Sequence, residues 1–119
     1  MIINGKEISK ALYIKSHWGN LILDGTKSLE IRSSNTKVRG TIALIFSGTN
    51  KIWGTIDLVD TLPIADDEFD KLNMLHRINI SRDDISYKEL WGWKLKNPVR
   101  SEQPINYIPK RGCVIWVNL

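Results

Sequence analysis

One cysteine, Cys113, and two histidines, His17 and His76, stand in a chain of 119 residues. A single thiol closes no internal disulfide, and two distant histidines with one cysteine make no metal-ligand spacing. Neither a metal site nor a cofactor is expected. Cys113 sits in the apolar stretch Cys113-Val114-Ile115-Trp116-Val117, where it reads as a small buried hydrophobe rather than a nucleophile. No apolar run approaches the roughly 18 residues of a bilayer-spanning helix, and the N-terminus lacks the basic, apolar and small-residue order of a secretory signal. A cytoplasmic protein with no membrane partner is expected. There is no glycine-rich phosphate loop, no Gly-x-Ser-x-Gly elbow and no His-Glu-x-x-His, so common nucleotide-hydrolase and protease chemistries have no motif here. Repeats, low-complexity tracts and linkers are also missing, and residues 1–119 read as one domain.

What is present is a globular composition, 42% hydrophobic and 25% charged, with a net charge of +4. The charge is unevenly spread. Residues 1–40 hold seven Lys/Arg against three Asp/Glu, residues 41–75 two against six, and residues 76–119 eight against four. If the two basic ends meet in space, they form a common positive face toward a polyanion.

Ala11–Ile14 reads as a short strand and Ser16 as the N-cap of a helix over 17–24, with Trp18, Leu21 and Ile22 at helical spacing and Gly25 as its left-handed stop. Ser28–Arg32 alternates strictly, Leu29 and Ile31 on one face and Ser28, Glu30 and Arg32 on the other. The run Thr41–Ser47 after Gly40 suits a strand buried on both sides, and Ser47–Asn50 a turn. Lys51–Asp60 follows as a strand whose Gly54 marks a bulge, closed by Leu62-Pro63. Asp66-Asp67-Glu68 opens a helix carrying Phe69, Leu72 and Leu75. Ser81–Asp84 reads as a second capped turn. Trp91, Trp93 and Leu95 share one strand face that ends at Asn97-Pro98. Pro104–Pro109 reads as a rigid loop, and Gly112–Val117 as a closing strand. Five or six strands with two or three short helices point to a small mixed α/β (α+β) barrel.

The stretch His17–Arg32 resembles the signature of ASCH domains, a helix followed by Gly-x-Lys-x-x-Glu-x-Arg entering a strand, here Gly25, Lys27, Glu30 and Arg32. Gly40 before an apolar strand and Trp93-Lys94-Leu95-Lys96-Asn97-Pro98 resemble two further family features. The resemblance implies a PUA-like β-barrel with a cleft beside the first helix, in a family linked to RNA binding, coactivator-associated roles, ribonuclease activity and hydrolysis of an acylated cytidine. In the amidohydrolase branch the position three after the motif lysine is threonine, whereas this chain has Glu30. That branch's later glutamate falls on no single residue among Asp66, Asp67, Glu68 and Asp70.

Three activities fit these residues. In the first, the chain binds RNA, single-stranded nucleic acid or a modified nucleoside: Lys15, Lys27, Arg32 and Arg39 meet phosphates, a base inserts beside Trp18, Glu30 accepts from a base amino group, and Ser28 donates one hydrogen bond. In the second, a small hydrolase acts on a modified nucleoside or RNA, with Lys27 as the catalytic group and Glu30 as its partner. In the third, the basic ends dock on an acidic protein partner. The sequence leaves the oligomeric state open. Of its five tryptophans, Trp53, Trp93 and Trp116 are expected in the core, with Trp18 and Trp91 the exceptions available for stacking.

Overall fold

A computed structural model describes residues 1–108 and 115–119. It opens on a hairpin of β1 (Ile2–Ile3) and β2 (Lys6–Glu7). Asn4 and Gly5 both have positive φ at its tip, as a two-residue Asn-Gly turn requires. A six-stranded sheet follows, built from β3 (Lys10–Ile14), β4 (Leu29–Arg32), β5 (Gly40–Phe46), β6 (Lys51–Ile64), β7 (Leu90–Asn106) and β8 (Trp116–Asn118). Its spatial order is β4-β7-β6-β5-β3-β8. Among the described strands only β3 and β5 pair in parallel, and helix α1 (Ser16–Leu23) and β4 lie between them in sequence.

Alternation explains the layers. Leu12 and Ile14 of β3 and Ile42, Leu44 and Phe46 of β5 face one cluster with Ile22 and Leu23 of α1 and Trp93 and Leu95 of β7. The intervening Ala11, Ala43 and Ile45 face a second, with Ile3, Ile8, Ile52 and Val117. The apolar run of β5 is thus covered on both sides, as its composition predicts. Each fully buried Ile or Leu contributes about 1.5–3 kcal/mol. At Gly54 the ladder shifts register against both neighbouring strands, so Ile52 faces the second cluster while Ile56 and Leu58 face the first. A Cβ at Gly54 would lie 2.5 Å from the Val99 carbonyl oxygen and 2.8 Å from Leu23, which leaves glycine as the residue that fits.

The mixed α/β class holds, but several expectations do not. Among the described residues β4 and β8 do not pair, so the sheet stays open rather than closing into a barrel. Pro63 does not end β6, which continues to Ile64, and Asn97-Pro98 does not end β7. The ladder passes from Asp57↔Lys96 to Thr55↔Val99, leaving Asn97, at φ 55, and Pro98 in a bulge where no proline N–H is needed. Asp57 pins that bulge by accepting from Thr41 Oγ1 at 2.6 Å and Asn97 Nδ2 at 2.9 Å. These two bonds hold its carboxyl below the ordinary carboxylate range. A larger bulge between Arg100 and Ile105 takes up Pro104, so the expected rigid loop is strand as far as Asn106. The helix expected after Asp66 is a 3-10 turn over Asp70–Leu72 followed by the single turn α2 (Asn73–His76). Phe69 is buried, but Leu75 is exposed. Lys15, not Ser16, occupies the N-cap of α1, without a side-chain bond. Cys113 and the first half of the closing strand expected over 112–117 lie outside the described residues, and the described part is β8 at Trp116–Asn118. No described helix is long and apolar enough to cross a membrane.

Candidate functional site

Helix α1 ends in a Schellman turn. Gly25, at φ 80, donates to the Ile22 carbonyl, and the amides of Thr26 and Lys27 both donate to that of Leu21. The reversal drives the Lys27 side chain beneath the helix instead of into solvent, where it is 1% exposed. Its Nζ donates to the His76 carbonyl at 2.6 Å, lies 3.6 Å from Glu30 Oε1, and sits 4.7 Å from the centroid of the Trp18 ring. Burial pushes the Lys27 ammonium below its ordinary range, and the neighbouring Glu30 carboxylate opposes that shift.

Glu30 continues the row. It is 5% exposed, and its Oε2 accepts from Arg32 Nε at 3.0 Å with Arg32 Nη2 at 2.9 Å. Arg32 also donates to the Tyr13 carbonyl at 3.2 Å and lies 5.5 Å from the Trp93 ring. A carboxylate thus stands between two cations on the polar face of β4, with the lysine sealed and the arginine half-buried. Every charge in the row has a partner, as burial demands.

Above the row lies a pocket of about 480 Å³, within the range of small-molecule sites. Its inner side is the end of β3 with Lys15, Trp18 of α1, Glu30 and Arg32 of β4, and Ser47 after β5, so it opens at the carboxyl ends of the parallel pair. Its outer side is irregular chain, including Ile80, Asp84, Ser86 and Tyr87.

A profile of the ASCH domain matches residues 12–108, most of the chain. The chain belongs to the ASCH domain family. Three solved structures of an ASCH protein from Zymomonas mobilis share the fold. A serine-to-alanine mutant superposes with a TM-score of 0.76 at 13% identity, covering 92% of this chain and 87% of its own. A tyrosine-to-phenylalanine mutant gives 0.70 at 14%, covering 84% and 76%. The unsubstituted protein gives 0.66 at 12%, covering 82% and 72%. Likeness at these identities speaks to architecture alone. No curated protein matches by sequence.

In this ASCH domain Lys15, Trp18, Glu30 and Arg32 line the pocket together. Lys27 lies behind them, with its amine turned to His76 and Trp18. Ser28 is outside the lining, its amide bonded to the Leu75 carbonyl and its carbonyl to the Leu95 amide. Arg39 is elsewhere on the surface, bonded to the carbonyls of Thr36 and Val38 and to Thr61 Oγ1. Trp18 and Trp91 are half-buried, but so are Trp53 and Trp116, and only Trp93 is fully enclosed.

His76, set aside in the sequence for want of a metal partner, organises the back of the site. Its Nε2 donates to the Phe69 carbonyl at 2.7 Å, its Nδ1 accepts from the Ile78 amide at 2.9 Å, and its ring stacks on Phe69. A neutral imidazole satisfies both bonds, and burial holds the ring below its ordinary titration range. Nothing in the sequence announced this role, since neither partner is a side chain. The outer residues, Tyr87 and Ser86 among them, follow the one local signal present there, the capped turn at Ser81, whose Oγ accepts from the Asp83 amide.

Proposed function

We propose that this ASCH domain binds RNA by seating one unpaired base, ordinary or modified, in the pocket beside Trp18. ASCH domains are in general RNA-binding modules of PUA-like fold. The observation that carries the reading is the Glu30–Arg32 pair, a carboxylate acceptor and a guanidinium donor side by side on the floor of a pocket walled by an aromatic ring. Such a pair matches a base edge presenting an amino group beside a carbonyl. Trp18 offers a face for stacking, and Lys15 at the rim meets the adjoining phosphate. Lys27 has a holding role: sealed under Trp18 and bonded to His76, its ammonium fixes Glu30 from behind.

The test is a fluorescence-anisotropy titration of a short labelled single-stranded RNA at low salt, repeated at higher salt. The unaltered protein binds with an affinity that falls as salt rises, because phosphate neutralisation releases counterions. Trp18→Ala loses about 1–3 kcal/mol, the worth of one stacked base. Glu30→Gln, which adds a donor where an acceptor is needed, loses affinity for some bases and not others. Absence of binding to every single-stranded RNA at low salt would sink the reading.

A further inference from the structure

The outer wall of the pocket, residues 78–88, is attached to the molecule very differently from the inner side. Among the described residues its backbone–backbone hydrogen bonds are internal, Asp84 to Ser81 and Ile85 to Arg82. At its start, Ile78 is held by the His76 ring and by Asn73 Nδ2. From there to β7, one side chain gathers the chain. Arg82 Nη1 donates to the Ile85 carbonyl at 3.1 Å, and Nη2 donates to the carbonyls of Tyr87 at 2.8 Å and Lys88 at 3.1 Å. Nε donates to Asp66 Oδ1 at 2.9 Å, tying the wall to the segment after β6. The Arg82 side chain is 13% exposed and does not line the pocket.

We propose that Arg82 is the positioning residue of the pocket: its guanidinium sets where Ser86 and Tyr87 stand and thereby how long a base stays bound. A planar fork with five donors can draw several carbonyls and a carboxylate into one fixed arrangement. Among the described residues the carbonyls of Ile85, Tyr87 and Lys88 have no other partner that would hold them in this curve. Without the guanidinium, Ile85 and Ile78 still pack on the cluster of Leu29, Ile31 and Phe69, so the segment stays docked while the stretch through Tyr87 loses its fixed shape. The inner side, hydrogen-bonded into the sheet, is unaffected. A ligand then meets one ordered side and one side that it must order itself, which shortens its residence.

This proposal rests on the base-binding reading for its ligand but not for its structural half, and the experiment separates the two. Hydrogen exchange is measured on the free protein and dissociation of the labelled single-stranded RNA by stopped flow, for the unaltered chain, Arg82→Ala, Arg82→Lys and Asp66→Asn. In Arg82→Ala, exchange at Asp84 and Ile85, whose amides are hydrogen-bonded within the wall, rises while β5 and β6 keep their protection, and the RNA leaves about tenfold faster or more, as expected for lost charge-assisted bonds. Arg82→Lys does not rescue, because one ammonium cannot span the same carbonyls. Asp66→Asn, at an exposed position that does not endanger folding, moves both readouts in the same direction by a smaller factor. Unchanged exchange in the wall of Arg82→Ala overturns the proposal, as does raised exchange with an unchanged RNA dissociation rate. Should Arg82→Ala fail to fold, Asp66→Asn decides alone, and no change in its wall overturns the proposal. If the unaltered chain binds no RNA, the functional reading falls, and exchange in the free protein still decides whether Arg82 fixes the wall.

Discussion

The two sides of the pocket are built on different principles. The inner side comes from β3, α1 and β4, whose backbones are held by the sheet and by a helix-ending turn, and the lysine and the carboxylate of its charged row are buried. The outer side has no ladder and stays in place through side chains: His76, Asn73 and Arg82 hold its backbone groups. Regular structure gives the inner side its rigidity at the cost of sequence freedom. The outer side can change shape without disturbing the hydrogen-bonded sheet beneath it.

The sharpest way to break this contrast is to remove the centre of the buried row. Glu30→Ala leaves Lys27 and Arg32 as neighbouring cations with no carboxylate between them, Lys27 with no access to water. Truncating one partner of a buried charge group costs about 3–5 kcal/mol, and urea denaturation should show a loss of that size. A change under about 1 kcal/mol would mean that the row is hydrated and that the inner side is not rigid. Gly19→Ala tests the same side from its other edge. A Cβ at Gly19 would fall 2.2 Å from Phe46 Cε1, in a ring that is itself stacked on Trp53. Overpacking of this kind costs about 1–3 kcal/mol, and it should displace α1 and lower RNA affinity together with stability.

These two predictions lie in the part of the molecule that was legible from sequence. Alternation in Ser28–Arg32 assigned the faces of β4, and Gly25 marked the end of α1. The run after Gly40 named the central strand. What periodicity could not say was that the polar face of β4 is also covered. Lys27 and Glu30 read as groups that meet a ligand in a cleft, and the cover that seals them, Trp18 and the chain around His76, is set by the fold rather than by the pattern of β4. Prolines misled for a related reason. Pro63, Pro98 and Pro104 each lack a ladder donor and look like strand ends, yet bulges held by such long-range bonds as Asn97 to Asp57 carry β7 past two of them. Closure failed similarly: no local pattern states whether the edge strands β4 and β8 meet. The outer wall has no period at all, and the work of Arg82 shows only once its acceptors are folded around it.

A smaller effect separates the two sides by pH. His76 joins them, since its carbonyl holds Lys27 and its ring holds Ile78. The folded state keeps the ring neutral, with Phe69, Lys27 and Asp70 the groups acting on it; desolvation and Lys27 lower its affinity for a proton, while the Phe69 carbonyl and Asp70 raise it. The unfolded chain takes up a proton near the ordinary value of 6.5 and the native protein does so only at lower pH. This contribution to stability is therefore complete above about 6.5 and declines as pH falls toward the native value, by at most about 1.4 kcal/mol per unit for one proton. Denaturation midpoints followed downward from pH 7.5 (about one unit above that value) should decline, and His76→Gln should flatten the curve whatever its own stability. An unchanged slope in His76→Gln would remove the histidine from the link between the sides.

Arg39 supplies the weakest and most discriminating comparison. By sequence it belongs with Lys15 and Arg32 as a phosphate contact, whereas the fold places it on a loop away from the pocket, bonded to its own backbone neighbours and to Thr61, with Asp60 3.9 Å from its guanidinium. An exposed arginine so placed contributes at most about 0.5 kcal/mol to stability, and Arg39→Ala should unfold at nearly the same urea concentration as the unaltered chain. RNA separates the remaining roles. Lys15→Ala, at the rim, should weaken binding and lower the steepness of its salt dependence by about one phosphate contact. Arg39→Ala should leave a short RNA's affinity and salt dependence unchanged, and affect only an RNA long enough to leave the pocket and cross that loop. If Arg39→Ala weakened the short RNA as much as Lys15→Ala does, the binding surface would be the basic face read from the charge count, and the pocket between the two sides would not be its centre.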